Sequence, residues 1–95
     1  MYDLVVKGAQ VADGMGGPLQ TADVAVKDGR IAEVGQLNGN ARESVDADGL
    51  VLAPGIVDVH THYDAQLTWD AHATPSPALG VTTVVVGNCG FSIAP

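Results

Sequence analysis

Cysteine is nearly absent from this chain. Cys89 is the only one among 95 residues, so no intrachain disulfide can form and nothing calls for an oxidising compartment. Basic side chains are also scarce, with 4 Lys and Arg against 11 Asp and Glu, for a net charge of -7. A field of that sign repels phosphate backbones and anionic headgroups, which argues against nucleic acid and membrane surfaces as partners. The acids are scattered singly, as on a solvated face that keeps a protein soluble. Aromatics make up 4% of the residues, so Val, Leu and Ala must supply the core. No stretch approaches the roughly 20 apolar residues of a membrane span. The opening Met1-Tyr2-Asp3-Leu4 carries no basic region ahead of an apolar one, and the expected location is the cytoplasm. A phosphate loop, a dinucleotide fingerprint and a serine nucleophile elbow are all missing.

The residues that are present have the composition of a packed globular segment, 46% hydrophobic and 16% charged. Short apolar stretches at 2–7, 11–12, 21–27 and 30–35 read as strands separated by turns. Asp28-Gly29 suits a two-residue hairpin, whose central positions both need positive φ. Asp-Gly recurs at Asp13-Gly14 and Asp48-Gly49. Residues 1–53 are therefore expected to form a small antiparallel β unit that packs against something else, because a few short strands bury little area alone.

The pattern changes at Pro54-Gly55, where a second region, 54–95, is expected to begin. Ile56-Val57-Asp58-Val59-His60 is apolar on both sides apart from Asp58, as in a parallel strand covered on both faces. Residues 63–80 are long enough for a crossover connection. Pro75 and Pro77 disfavour a long helix there, while Ser76-Pro77-Ala78-Leu79-Gly80 carries the signals of one helical turn. Residues 81–86, rich in β-branched side chains, predict a second strand ending at Gly87-Asn88, with Cys89 just beyond.

Residues i and i+2 of a strand share a face, so His60 and His62 are expected to project together and to be able to share a metal ion. The alternative is two ordinary histidines that happen to be spaced by two. Asp58 could orient an imidazole, as ligating histidines usually donate their second N–H to a carboxylate or carbonyl, or it could be a polar residue within the sheet. Cys89 has three readings: a small buried hydrophobe, a thiolate that reaches a metal, or a nucleophile with a histidine base. Two imidazoles, one thiolate and an open position would suit catalytic zinc. His72 is expected to be structural or exposed, Asp64 and Asp70 to be solvated loop acids, and Trp69 to cover the sheet.

Several stretches together resemble the start of the amidohydrolase superfamily, and within it the N-acyl-D-amino-acid deacylases (D-aminoacylases). They are Tyr2-Asp3-Leu4-Val5-Val6-Lys7-Gly8, Asp28-Gly29-Arg30-Ile31, the run from Ala53-Pro54-Gly55 through His60-Thr61-His62 to Tyr63-Asp64-Ala65-Gln66, Thr68-Trp69-Asp70, and Gly80-Val81-Thr82-Thr83 through Gly87-Asn88-Cys89-Gly90-Phe91. The resemblance implies an α/β architecture: a partial β-sandwich domain over 1–53, then the first two strands and crossover of a metal-dependent (β/α)8 TIM barrel over 54–95. A complete barrel of that kind needs about 250 residues. The resemblance also implies that His60, His62 and Cys89 are ligands of Zn2+, and that the substrate is a small N-acylated amino acid cleaved to a D-amino acid and a carboxylate. Further ligands and the acid/base aspartate lie on later strands in such enzymes, so no catalytic residue is expected within these 95 and the chain alone is expected to be inactive. A dihydropyrimidinase-like amidohydrolase acting on cyclic or linear amides, and a non-catalytic metal-binding β module, are the alternatives.

Overall fold

The computed structural model describes residues 1–88 and is mostly strand with little helix. The chain divides into two compact units, Met1–Pro54 and Gly55–Pro95.

The first unit is a five-stranded sheet. Strand β1 (Tyr2–Val11) runs through its centre, antiparallel on one edge to β2 (Gln20–Lys27), which pairs antiparallel with β3 (Arg30–Gly35). The β2–β3 turn has Asp28 at φ 52° and Gly29 at φ 72°, the two positive values that a tight hairpin needs. Along its other edge, β1 pairs with β4 (Ala41–Asp46) and then with β5 (Val51–Leu52), both parallel. The unit is therefore mixed, not antiparallel as expected. Strand β4 escapes the apolar-pattern reading because Ala-Arg-Glu-Ser-Val-Asp is almost wholly exposed: an edge strand is specified by its backbone ladder, not by a buried face.

The expected breaks between residues 7 and 11 are absent too, for a specific reason. Val6 faces Val24 while Ala9 faces Ala22, so three steps along β1 match two along β2. This is a β-bulge, and it sits where Gly8 takes φ 68°, a conformation closed to most residues. The Gly8 N–H, turned out of the ladder, donates to Asp23 Oδ1 at 2.8 Å. Asp23 Oδ2 accepts the Leu37 N–H at 3.1 Å, and Lys7 Nζ donates to the Leu37 carbonyl at 3.2 Å. These bonds draw Leu37 onto Val5 and Ala25, which with Tyr2 and Ala41 form the core. On the opposite face Leu4, Val6, Val11, Val24, Ile31 and Val34 line an open apolar cavity of about 500 Å³.

The second unit pairs β6 (Ile56–Asp58) with β7 (Val81–Val84) in parallel, with Ile56 opposite Val81 and Asp58 opposite Val84. Both strands are shorter than expected. Gly55 sits so close to β7 that a β-carbon there would overlap the Thr82 side chain. The crossover holds a four-residue helix α1 (Tyr63–Gln66) and a single 3-10 turn (Ser76–Leu79) closed by Gly80. The turn begins one residue before the predicted proline start, with Pro75 as its flanking residue.

Two side chains organise the crossover. Buried Tyr63 donates its hydroxyl to the Ala73 carbonyl at 2.8 Å and meets the Ser76 hydroxyl. Asp70 accepts Gln66 Nε2 and the backbone N–H groups of Thr74 and His72, which hold its carboxyl below the usual carboxylate range. Asp70 is thus a loop organiser and not a free loop acid. Trp69 is 73% exposed and covers little. His72 is exposed, as expected. Among the described residues, no helix is long and apolar enough to cross a membrane.

Candidate metal centre

The two histidines lie past the end of β6, not within it. His60 occupies a bend and His62 is the flanking residue at the start of α1, so the strand alternation expected to align them does not apply. They converge all the same: the ring centroids are 5.6 Å apart with the planes inclined at 41°. The loop fold, not a strand face, brings the imidazoles together, and both are exposed at the C-terminal end of β6.

That separation suits two imidazoles on one ion. With Zn–N bonds of about 2.0–2.1 Å and a tetrahedral angle between them, ring centres fall roughly 5 Å apart. Imidazole nitrogen is also a preferred zinc donor. The pair does not make a complete set, since among the described residues no three His, Cys, Asp or Glu side chains come together as a metal cluster. Cys89, the third candidate, lies outside the described residues.

Asp58 behaves differently from the expectation. Its Oδ1 accepts the backbone N–H of His60 at 3.2 Å, so it orients a peptide and not an imidazole. Around it, the exits of β6 and β7 are joined by bonds the motif reading missed. The Val85 N–H donates to the Asp58 carbonyl at 2.8 Å, and Thr61 Oγ1 donates to the Val85 carbonyl at 2.9 Å. Asn88 Nδ2 donates to the Val59 carbonyl at 2.6 Å, and the Gly87 N–H donates to Asp64 Oδ1 at 3.1 Å. Asp64 is therefore a link between loops. The signal for Thr61 and Asn88 was their adjacency to His60 and Cys89, but in a strand reading Thr61 points away from the histidines and attracts no attention.

Residues 43–94, more than half of the chain, match the model of the amidohydrolase family. The chain belongs to that family. It is also similar along its length to the D-aminoacylase of Alcaligenes xylosoxydans xylosoxydans, 46% identical over 95 residues that cover 99% of this chain and 20% of that protein. The N-acyl-D-aspartate deacylase of the same organism is 45% identical over 94 residues, covering 98% of this chain and 19% of that one. The crystal structure of the N-acyl-D-glutamate deacylase from Bordetella bronchiseptica, complexed with zinc and a phosphonate mimic of the tetrahedral intermediate, superposes with a TM-score of 0.90 at 44% identity. That match covers 99% of this chain and 20% of the deacylase. The chain thus spans about a fifth of the length of these amidohydrolases, and its strand-rich architecture matches their N-terminal part.

Proposed function

We propose that this chain is the N-terminal part of a zinc-dependent amidohydrolase that cleaves the amide bond of N-acyl-D-amino acids, releasing a D-amino acid and a carboxylate. The observation that carries this reading is the convergence of His60 and His62 at the C-terminal ends of two parallel strands, the edge at which barrel enzymes collect their active sites. The deacylases that the chain resembles over nearly all its length narrow the reaction class. On this reading 54–95 is the opening of a (β/α)8 barrel, 1–53 is part of a composite β-sandwich, and the enzyme works in the cytoplasm on a small N-acylated amino acid.

His60 and His62 would hold the zinc, with Cys89 as the thiolate ligand. A zinc ion held there would supply Lewis-acid polarisation of the scissile carbonyl and lower the pKa of water to about 7. The chain's own residues bind and orient: Asp58 fixes the His60 peptide, and His62 flanks the start of α1 at Tyr63.

The test uses the protein expressed from its complete reading frame, with zinc content and release of D-amino acid from N-acetyl-D-amino acids as readouts. The paired change His60→Ala with His62→Ala should lower bound zinc and abolish D-specific hydrolysis. Full activity in that double variant would overturn the proposal. The isolated 95-residue chain should show no turnover.

A further inference from the structure

The inference that follows rests on the zinc reading of His60 and His62 and concerns what makes those two rings converge. Both are exposed and lie beyond the last ladder pair of the parallel strands, Asp58 opposite Val84. An exposed loop with two free imidazoles has no reason of its own to keep them 5.6 Å apart. Yet the residues on either side of His60 are each fixed to the exit of β7. The Val59 carbonyl accepts the Asn88 side-chain amide at 2.6 Å, and the Thr61 hydroxyl donates to the Val85 carbonyl at 2.9 Å.

Between these anchors the His60 N–H is held by Asp58 Oδ1, and the Asp58 carbonyl is itself held by the Val85 N–H. Positions 58 to 61 are therefore pinned one after another, and the direction in which the His60 side chain leaves the backbone is set by bonds that cross to another strand. Thr61 is buried at 5% exposure although Val59, His60 and His62 around it are exposed, which partly shields its hydroxyl bond from water. Asn88 reaches the same loop from the opposite flank and is itself exposed, so its amide does nothing for a core.

We propose that Thr61 and Asn88 are positioning residues of the metal centre, which hold the loop so that both imidazoles meet one ion. They touch neither metal nor substrate. Their effect is to make the two-histidine arm preformed, so that binding does not have to order it.

The experiment is titration of the apoprotein with Co2+, followed by the visible absorption band that reports ligand geometry, on the protein expressed from its complete reading frame. Thr61→Val and Asn88→Ala should each weaken Co2+ binding by about 10-fold or more, the range typical of residues that support a ligand, and shift the band. Thr61→Ser, which keeps the hydroxyl, should restore both. Asn88→Ala changes an exposed side chain and should leave the far-ultraviolet circular dichroism unaltered, which separates positioning from folding. Wild-type affinity and band shape in Thr61→Val and Asn88→Ala would overturn the proposal, as would a Thr61→Ser variant no better than Thr61→Val. The control is His60→Ala with His62→Ala. Loss of the band there upholds the zinc reading whatever Thr61 and Asn88 do, whereas an unchanged band would sink that reading and the positioning role with it.

Discussion

The two units of this chain are held by different forces. Met1–Pro54 buries aliphatic side chains outright: Val5 is 1% exposed and Ala25 is fully enclosed. In the described part of Gly55–Pro95 the only buried residues are Thr61 and Tyr63, both fixed through hydroxyl groups, while Ile56 and Val57 on β6 are 54% and 55% exposed. Packing is non-directional and fills space; hydrogen bonds are directional and set angles. The unit carrying the candidate ligands relies on the force that controls orientation, and the first unit on the force that supplies bulk stability.

The sharpest way to break this contrast is at the one place where the second unit is sterically tight. Gly55→Ala would drive a β-carbon into the Thr82 side chain, whose own β-carbon cannot rotate away, so β6 and β7 must part. The expected cost is about 3 kcal/mol, the upper end for overpacking, and the Val85 amide, which bonds to Asp58, should lose its protection from hydrogen exchange. Retained protection would show that the strand pair adapts more freely than its spacing indicates.

Next in size, Val5→Ala should cost about 2 kcal/mol by urea denaturation, from lost burial and the cavity left behind. A smaller value would mean that the core of the first unit collapses around the gap. A third test concerns Asp23, whose carboxyl is held below its ordinary range by the N–H groups of Gly8 and then Leu37, with Lys7 adding to the effect. A depressed carboxylate pKa contributes stability above the unfolded value, about 3.9, and that contribution is lost as pH falls through the folded value. Wild type should therefore exceed Asp23→Asn in urea midpoint at pH 7 by more than at pH 3. An equal gap at both pH values would show that the charge is immaterial.

The smallest effect is expected at Val57→Thr, within about 0.5 kcal/mol, since an exposed position has little burial to lose. A cost near that of Val5→Ala in the protein from its complete reading frame would show that further chain covers this face.

Much of this was legible in the sequence, and the failures have physical causes. The Asp28-Gly29 hairpin, the change of pattern near Pro54, the β-branched strand after Gly80 and the His-x-His pair all rest on local chemistry, which a sequence states directly. The break expected after Lys7 was wrong because apolar alternation changes phase at the Gly8 bulge, and a phase change looks like an interruption. Strand β4 was invisible because its partner, not its own pattern, makes it a strand. Strand alternation points to the histidine pair for an insufficient reason: a local bond from Asp58 and bonds from Thr61 and Asn88 shape the loop that carries it, and the latter two join residues more than 20 positions apart.

The bulge in β1 makes that strand sensitive to length in a way that exchange of side chains would not reveal. Leu4 and Val6 before it and Val11 after it line the same side of the sheet only because one surplus residue separates them. Deleting that residue would leave every amino acid type intact and still send the C-terminal half of the strand to the wrong face. β1 therefore counts its residues: substitutions can accumulate along it, but an insertion or deletion must come in pairs or move elsewhere in the chain.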